Sequence, residues 1–194
     1  HPGRIVGGSI KFKGEELVGA SEEQMRKIRG NKISIIFQDP MTSLNPVYTI
    51  GNQLMEAILL HTDRNKEQAQ ARAVEMLQLV GINEPEKRLK QYPYELSGGM
   101  RQRVMIAMAL ACEPDILIAD EPTTALSNHE IEKLFVIMRQ LKEQGVSFIY
   151  ISHKMPEIFE ICESYTVLRD GKFVGSGKIA DIDDIWNLDW SKLL

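Results

Sequence analysis

Two adjacent carboxylates stand where a short apolar run ends. Residues 116–119 read Ile-Leu-Ile-Ala, and Asp120 and Glu121 follow directly. Four apolar residues in a row predict a strand buried on both faces, as inside a parallel sheet. Ligands of open α/β sheets bind beyond the carboxyl ends of the strands, so both acids are expected to face a substrate.

Adjacent residues on an extended segment point in opposite directions, which predicts two different roles for the two acids. One carboxylate can hold Mg²⁺ while the other activates a water molecule as a general base. The alternative is an acidic pair that only caps a following helix.

Two further strand-like runs also end in polar side chains. Residues 33–37 lead to Gln38, and residues 146–152 lead to His153. A glutamine amide can orient water or ligate a metal through its oxygen, and a histidine can hydrogen-bond a phosphate. A satisfied strand-end histidine would explain His153 taken alone. Three such strand ends together predict that these side chains and the acidic pair converge at one edge of a sheet.

A phosphate-binding turn is predicted at Ser97-Gly98-Gly99. Ser97 is a good N-cap for a helix that runs on to Ala111, and the two glycines let backbone N–H groups approach a ligand closely. Free amides at the N-terminus of a helix bind phosphate. A flexible cap without a ligand is the alternative for a bare Ser-Gly-Gly sequence.

The elements that must position these residues form a mixed α/β pattern. Between residues 39 and 93 the apolar residues fall at helical spacing and no strand is predicted, so this stretch is expected to be a helical lobe inserted between strands. We predict one domain, in which residues 1–38 and 94–194 form the core and residues 39–93 a helical subdomain. Its charged stretch 84–90 is expected to be a solvated connection.

Shorter elements are predicted on either side of the lobe and in the C-terminal half. They are an edge strand over residues 7–14, a helix over 21–29, a helix whose apolar face runs from Ile131 to Leu141, a helix over 155–163, and a hairpin over 165–174 that turns at Asp170-Gly171.

The composition is that of an ordinary globular protein. The chain has 194 residues, 43% of them hydrophobic and 26% charged, which allows one domain with a substantial core. A net charge of -4 gives no reason to expect nucleic acid as a partner. No apolar run approaches the roughly 20 residues that span a bilayer, and the first residues do not resemble a signal peptide. The two cysteines lack metal-site spacing and suit a reducing compartment.

The order of these motifs resembles the ATPase subunit of ATP-binding cassette transporters over about residues 5–177. The motifs are a strand leading to Gln38, a helical lobe, the Leu-Ser-Gly-Gly sequence at 96–99, a strand ending in Asp-Glu-Pro-Thr at 120–123, and then His153. The resemblance implies the fold of the P-loop nucleotide hydrolases, with a mostly parallel sheet, flanking helices and an antiparallel β piece at the N-terminus. It also implies ATP and Mg²⁺ as cofactors.

The resemblance assigns a role to each residue at the predicted sheet edge. Gln38 resembles the glutamine that contacts Mg²⁺ and the attacking water and senses a transmembrane partner. Asp120 resembles the Walker B magnesium ligand, Glu121 the general base, and His153 the switch histidine. The residues expected to bind nucleotide lie in the signature sequence, which faces the γ-phosphate of ATP held on an opposite subunit: Ser97, Gly98, Gly99 and Gln102.

The same resemblance implies partners and a location. A second ATPase subunit and transmembrane permease subunits are expected, and the stretch from Met41 to Tyr48 suits docking to such a partner. The subunit is expected in the cytoplasm, on the inner face of the cell membrane, which it would touch only through the permease. Residues 37–46 and 101–110 look like importers of dipeptides and oligopeptides, whereas residues 150–159 and 167–171 look like sugar importers.

Two departures from the family pattern leave alternatives open. The chain contains no Gly-x4-Gly-Lys-Ser/Thr sequence, the phosphate-cradling Walker A loop, and truncation is the expected reason. Ser127 stands where the family usually has aspartate. A non-catalytic interaction module that cannot bind ATP in cis is therefore a second hypothesis, and a soluble relative acting in DNA repair or translation is a third.

Overall fold

The computed structural model describes residues 5–39 and 43–182. By packing, the chain divides into two compact units, one ending at Ile149 and the other beginning at Tyr150. Each unit is described by itself below. The predicted division into a core and a helical subdomain stays a prediction.

A small antiparallel hairpin opens the described chain. It pairs β1 (Lys11–Phe12) with β2 (Glu15–Glu16) and turns through Gly14, whose φ of 86° suits glycine. The prediction of an edge strand over residues 7–14 is wrong in length. The Ile10 N–H donates to the Glu16 carboxylate at 2.9 Å instead of to a partner strand, so the ladder begins only at Lys11. Helix α1 (Glu22–Ile28) follows, and Ser21 and Gln24 close its first turn with a capping box.

A three-stranded sheet forms the centre of the first unit. Its strand order is β3 (Ile33–Ile36), β4 (Ile116–Asp120), β5 (Ser147–Ile151). Strands β3 and β4 are parallel, and Ile36 lies opposite Ala119. The mixed α/β fold with a parallel sheet is therefore confirmed.

The prediction that the strand at 116–119 is buried on both faces is wrong, because Leu117 and Ala119 of β4 are buried whereas Ile116 and Ile118 are only half-buried. Burial alternates along β3, where Ile36 is 1% exposed but Ile35 is 39% exposed. The register places Leu117 and Ala119 of β4 on the buried face with Ile36, where a helix packs against β3. Ile35 lies on the opposite face, which the described residues leave partly open.

The regular elements described between residues 43 and 93 are helices, as predicted. Helix α2 (Ile50–His61) begins at the N-cap Thr49, and α3 (Lys66–Leu79) begins at Asn65 with a capping box. The stretch 84–90 contains the short helix α4 (Pro85–Arg88), and its charged residues Glu84, Glu86, Lys87 and Lys90 are exposed, as the prediction of a solvated connection requires. Pro85 and Leu89 anchor it because both are buried.

Helix α5 (Gly98–Leu110) follows a 3₁₀ turn at Pro93–Glu95 and is the central helix of this unit. It packs against α2, α3 and β3. Most of its residues after Arg103 are buried, as expected for a helix covered on several sides. Helix α6 (Asn128–Glu143) is amphipathic, and its buried residues are Leu134, Phe135, Ile137 and Met138.

The second unit begins in β5 and contains α7 (Met155–Ile161) and a hairpin. The hairpin pairs β6 (Ser164–Arg169) with β7 (Lys172–Lys178) through Asp170 and Gly171, both of which have a positive φ. The predicted hairpin and its turn are confirmed. A 3₁₀ turn (Ile179–Asp181) closes the described part. None of the helices in residues 5–39 and 43–182 combines the length and the apolar character that crossing a membrane requires.

Candidate functional site

Asp120 is the last residue of β4, and the chain leaves the strand at Glu121. Glu121 has a φ of 46°, in the left-handed region that residues with a Cβ rarely adopt. The expectation that the two acids follow each other on an extended segment is wrong, because the extended backbone ends at Asp120. Asp120 is half-buried, and Glu121 is 9% exposed.

Gln38 reaches the same edge of the sheet from the neighbouring strand. Ile36 ends β3 and pairs with Ala119, so Gln38 and Asp120 both lie just past this pair. Because the strands are parallel and lie about 4.8 Å apart, their carboxyl ends meet at one edge. Gln38 is exposed there. The structure thus brings Gln38 to the edge that carries the acidic pair.

His153 lies in the second unit, two residues beyond the end of β5. Its convergence with the other three residues stays a prediction. Close to it in sequence, Glu157 is 8% exposed and accepts hydrogen bonds from the Tyr150 hydroxyl at 2.7 Å and the Ser152 hydroxyl at 3.4 Å. Lys154 forms an ion pair with the same carboxylate at 3.1 Å. This network fixes the segment on both sides of His153, and the sequence analysis did not single it out.

The signature sequence forms the first turn of α5. Ser97 is the N-cap, and its hydroxyl accepts from the Met100 N–H at 3.3 Å. A Cβ at Gly98 would meet no atom within 4 Å, whereas one at Gly99 would lie 3.2 Å from the Ala125 carbonyl. Packing therefore favours glycine at 99, where a Cβ would press on the Ala125 carbonyl, but places no such constraint on Gly98.

Gln102 lies one turn further along α5 and is fully buried. Its Nε2 donates a 2.9 Å hydrogen bond to the Pro122 carbonyl, next to Glu121. In this conformation the side chain has no exposed surface with which to contact a nucleotide, contrary to the expectation that it binds the cofactor directly. The contact joins residues 20 positions apart, so sequence spacing could not reveal it.

Arg103 and Glu130 form a second link between α5 and the segment after the acidic pair. Their ion pair measures 3.1 Å, and Arg103 also donates to the Gly81 carbonyl at 2.6 Å. Glu130 accepts from the Ser127 N–H at 2.9 Å and from its hydroxyl at 2.8 Å, and these bonds lower the pKa of the Glu130 carboxyl. The Ser-x-x-Glu capping box was readable from the sequence at 127–130, but the ion pair was not.

The donors at the sheet edge fit Mg²⁺ in part. This ion binds oxygen and commonly uses one or two carboxylates together with substrate phosphates. The carboxylate of Asp120 and the amide oxygen of Gln38 match that pattern. The described residues contain no group of three or more His, Cys, Asp or Glu that could hold a metal, so phosphate oxygens would have to complete the ligand set.

Residues 4–124 match the family model described as ABC transporter. The chain belongs to the ABC transporter family. Its fold agrees, since a dimeric post-hydrolysis structure of the ATP-binding cassette MJ0796 bound to ADP and Pi superposes with a TM-score of 0.82 at 27% identity. That match covers 91% of this chain and 75% of the cassette.

Individual relatives in the ABC transporter family resemble the chain closely. The probable peptide ABC transporter ATP-binding protein y4tR of Sinorhizobium fredii is 47% identical over 92% of this chain and 54% of its own length. The oligopeptide transport ATP-binding protein OppD of Bacillus subtilis is 46% identical over 93% of this chain and 51% of its own length. The chain thus spans about half the length of these curated relatives. Because both matches include most of the C-terminal third, the expected likeness to sugar importers there gains no support from them.

Proposed function

We propose that this chain belongs to an ATP-hydrolysing subunit of a peptide importer. Membership of the ABC transporter family supports ATP as the substrate. The names of the two relatives, a peptide and an oligopeptide transport ATP-binding protein, support the solute class. The structural observation that carries the proposal is the placement of Gln38, Asp120 and Glu121 at one edge of the parallel sheet.

In this proposal each residue at the sheet edge performs one step. The Glu121 carboxylate accepts the proton of the water that attacks the γ-phosphate. The Asp120 carboxylate and the Gln38 amide oxygen would hold Mg²⁺, and the ion would supply positive charge against the charge that develops on the phosphates. His153 donates a hydrogen bond to the transferred phosphoryl group.

The signature turn acts on the nucleotide of a second subunit. The Ser97 hydroxyl and the amides of Gly98 and Gly99 bind the γ-phosphate from the side opposite to that subunit's own phosphate loop. Two observations support this arrangement: the MJ0796 cassette is dimeric, and a Cβ at Gly98 would meet open space.

A permease receives the motion of the subunit through the loop that follows Gln38. Its residues 40–42 lie outside the described chain. Beyond them, Val47 and Tyr48 are 71% and 52% exposed. The buried amide of Gln53 holds this loop, donating to the carbonyls of Asn45 at 2.9 Å and Tyr48 at 3.0 Å. A loop that Gln53 holds in place and that exposes apolar side chains suits binding to a protein partner. Binding to a permease would keep the subunit on the cytoplasmic face of the membrane.

The test is the replacement Glu121→Gln in the complete product of the encoding gene. ATP turnover should fall at least about a hundredfold, because a general base contributes about 10²–10⁴-fold, while ATP binding is retained. The control is Glu132→Gln, which removes a carboxylate that is 76% exposed on α6 and should keep turnover unchanged. Turnover within a few-fold of the parent in Glu121→Gln would contradict the proposal. Absence of turnover in the parent would favour the non-catalytic interaction module.

A further inference from the structure

Glu121 adopts a backbone conformation that its own chemistry disfavours. Its φ of 46° places the Cβ close to the following carbonyl, a conformation that persists only where the surroundings impose it. Pro122 follows, so the chain cannot relax into a helix at this point. The direction of the Glu121 side chain therefore depends on what holds residues 121–124.

Gln102 fixes this segment from the protein interior through one hydrogen bond. This side chain is fully buried, and its only described hydrogen bond runs from Nε2 to the Pro122 carbonyl at 2.9 Å. Its Oε1 has no hydrogen-bond partner among the described residues. A buried amide oxygen without a partner is a cost that an apolar side chain of similar volume would avoid. The cost of the unpaired Oε1 is thus offset by the bond that Nε2 donates to the buried Pro122 carbonyl, and this bond is what glutamine supplies here.

Thr124 fixes the same segment from the protein surface through two hydrogen bonds. Its hydroxyl donates to the Glu121 carbonyl at 3.0 Å, and its N–H reaches the same carbonyl at 3.3 Å. Two successive carbonyls are therefore fixed, that of Glu121 by Thr124 and that of Pro122 by Gln102.

Gln102 belongs to the same helix as the signature turn. It lies four residues after Gly98, one helical turn further along α5. Gly99 also approaches the segment after Glu121, since a Cβ there would lie 3.2 Å from the Ala125 carbonyl and 3.5 Å from the Glu130 carboxylate. The first turns of α5 thus contact the backbone beside Glu121 at two places, Gln102 and Gly99.

We propose that Gln102 is a positioning residue that couples the signature helix to the orientation of Glu121. Thr124 supports it by holding the Glu121 carbonyl. The proposal rests on the proposed function, in which Glu121 is the general base. In its terms, a γ-phosphate bound by the signature turn of one subunit sets the geometry of that subunit's own catalytic carboxylate.

The first test replaces Gln102 by Met in the complete gene product, which removes the donor at similar volume. We expect kcat to fall about tenfold or more with the KM for ATP within twofold, because a misplaced base weakens the transition state and not the binding of ATP. The melting temperature should stay within about 4 °C of that of the parent, because the variant loses the donor to the buried Pro122 carbonyl but also the unpaired Oε1. Gln140→Met, at an exposed position of α6, is the matched control and should leave all three values unchanged.

Thr124→Val keeps the test decisive if Gln102→Met fails to fold, because Thr124 is exposed and valine matches its shape. It should also lower kcat at constant KM. Parent-like kcat in every variant that folds, or a change confined to KM, would overturn the positioning role. Glu121→Gln separates the two proposals. If its turnover is lost while Gln102→Met and Thr124→Val behave like the parent, only the positioning role of Gln102 and Thr124 is wrong. If Glu121→Gln keeps its turnover, both proposals fall.

Discussion

At the scale of single residues, Glu130 combines a helix cap with an ion pair. Its carboxylate is 25% exposed and accepts two hydrogen bonds from Ser127 while it pairs with Arg103. These contacts favour the charged form, and they lower its pKa below the ordinary 4.5, with the Ser127 N–H as the largest cause. The stability that they provide is therefore present above about pH 4.5 and is lost as the pH falls through the lowered pKa.

Glu130→Gln should lower the free energy of unfolding by about 1 kcal/mol at neutral pH, because glutamine can still cap the helix but lacks the charge that pairs with Arg103 and strengthens the bonds from Ser127. The difference from the parent should shrink as the pH falls below 4.5, the carboxyl's ordinary pKa. Urea unfolding of the 194-residue chain between pH 7 and pH 4 measures it. Glu132→Gln on the same helix, 76% exposed, should show no such loss. If the difference in unfolding free energy between Glu130→Gln and the parent grew towards low pH, the conclusion that these contacts favour the charged carboxylate would be wrong.

The sequence predicted the chemical identity of the sheet-edge residues but not how they are held. Asp120, Glu121 and Gln38 follow apolar runs, and parallel strands bring such ends together, so local pattern was sufficient. The burial of Gln102 depends on how α5 packs against the segment after β4, where Gln102 contacts Pro122 and Gly99 approaches Ala125. That contact joins distant parts of the chain, and periodicity carries no information about it.

At the scale of elements, the start of α2 depends on a close approach of two backbones. The Gly51 N–H donates to the Leu89 carbonyl at 2.8 Å, and the Ile50 N–H donates to the Gln91 carbonyl at 2.9 Å. A Cβ at Gly51 would lie 2.7 Å from the Leu89 oxygen, a distance that real Cβ atoms do not show. The helical spacing of apolar residues predicted α2, but the need for glycine in its first turn comes from the segment 89–91.

Gly51→Ala should lower the free energy of unfolding by about 1–3 kcal/mol, the usual cost of overpacking, because the two backbones must separate. Gly98→Ala is the matched control, since it makes the same change in the first turn of α5, where a Cβ meets open space. It should leave stability unchanged or raise it by up to about 1 kcal/mol. Urea unfolding of both variants measures the contrast, and equal midpoints would show that the approach of α2 to Leu89 does not constrain residue 51.

At the scale of the whole molecule, the two faces of the central sheet differ in how far the described chain covers them. The apolar run at 116–119 predicted a strand with two buried faces, because composition cannot tell which face a helix will cover. In the structure, Ile36 is 1% exposed on the covered face, and Ile35 and Phe37 are 39% and 48% exposed on the other. Neighbouring isoleucines of one strand thus occupy opposite environments.

This contrast makes a prediction for two adjacent positions with the same substitution. Ile36→Thr should lower the free energy of unfolding by about 2–4 kcal/mol, since it leaves a gap and buries a hydroxyl. Ile35→Thr should cost less than about 1 kcal/mol, because its side chain stays partly in water and threonine keeps the β-branched shape that strands favour. Urea unfolding of both variants of the 194-residue chain measures the difference. Equal losses would mean that the open face of β3 is covered in solution, by a second copy of the chain or by residues outside the described ranges, and sedimentation of the parent over a range of concentrations would distinguish the two.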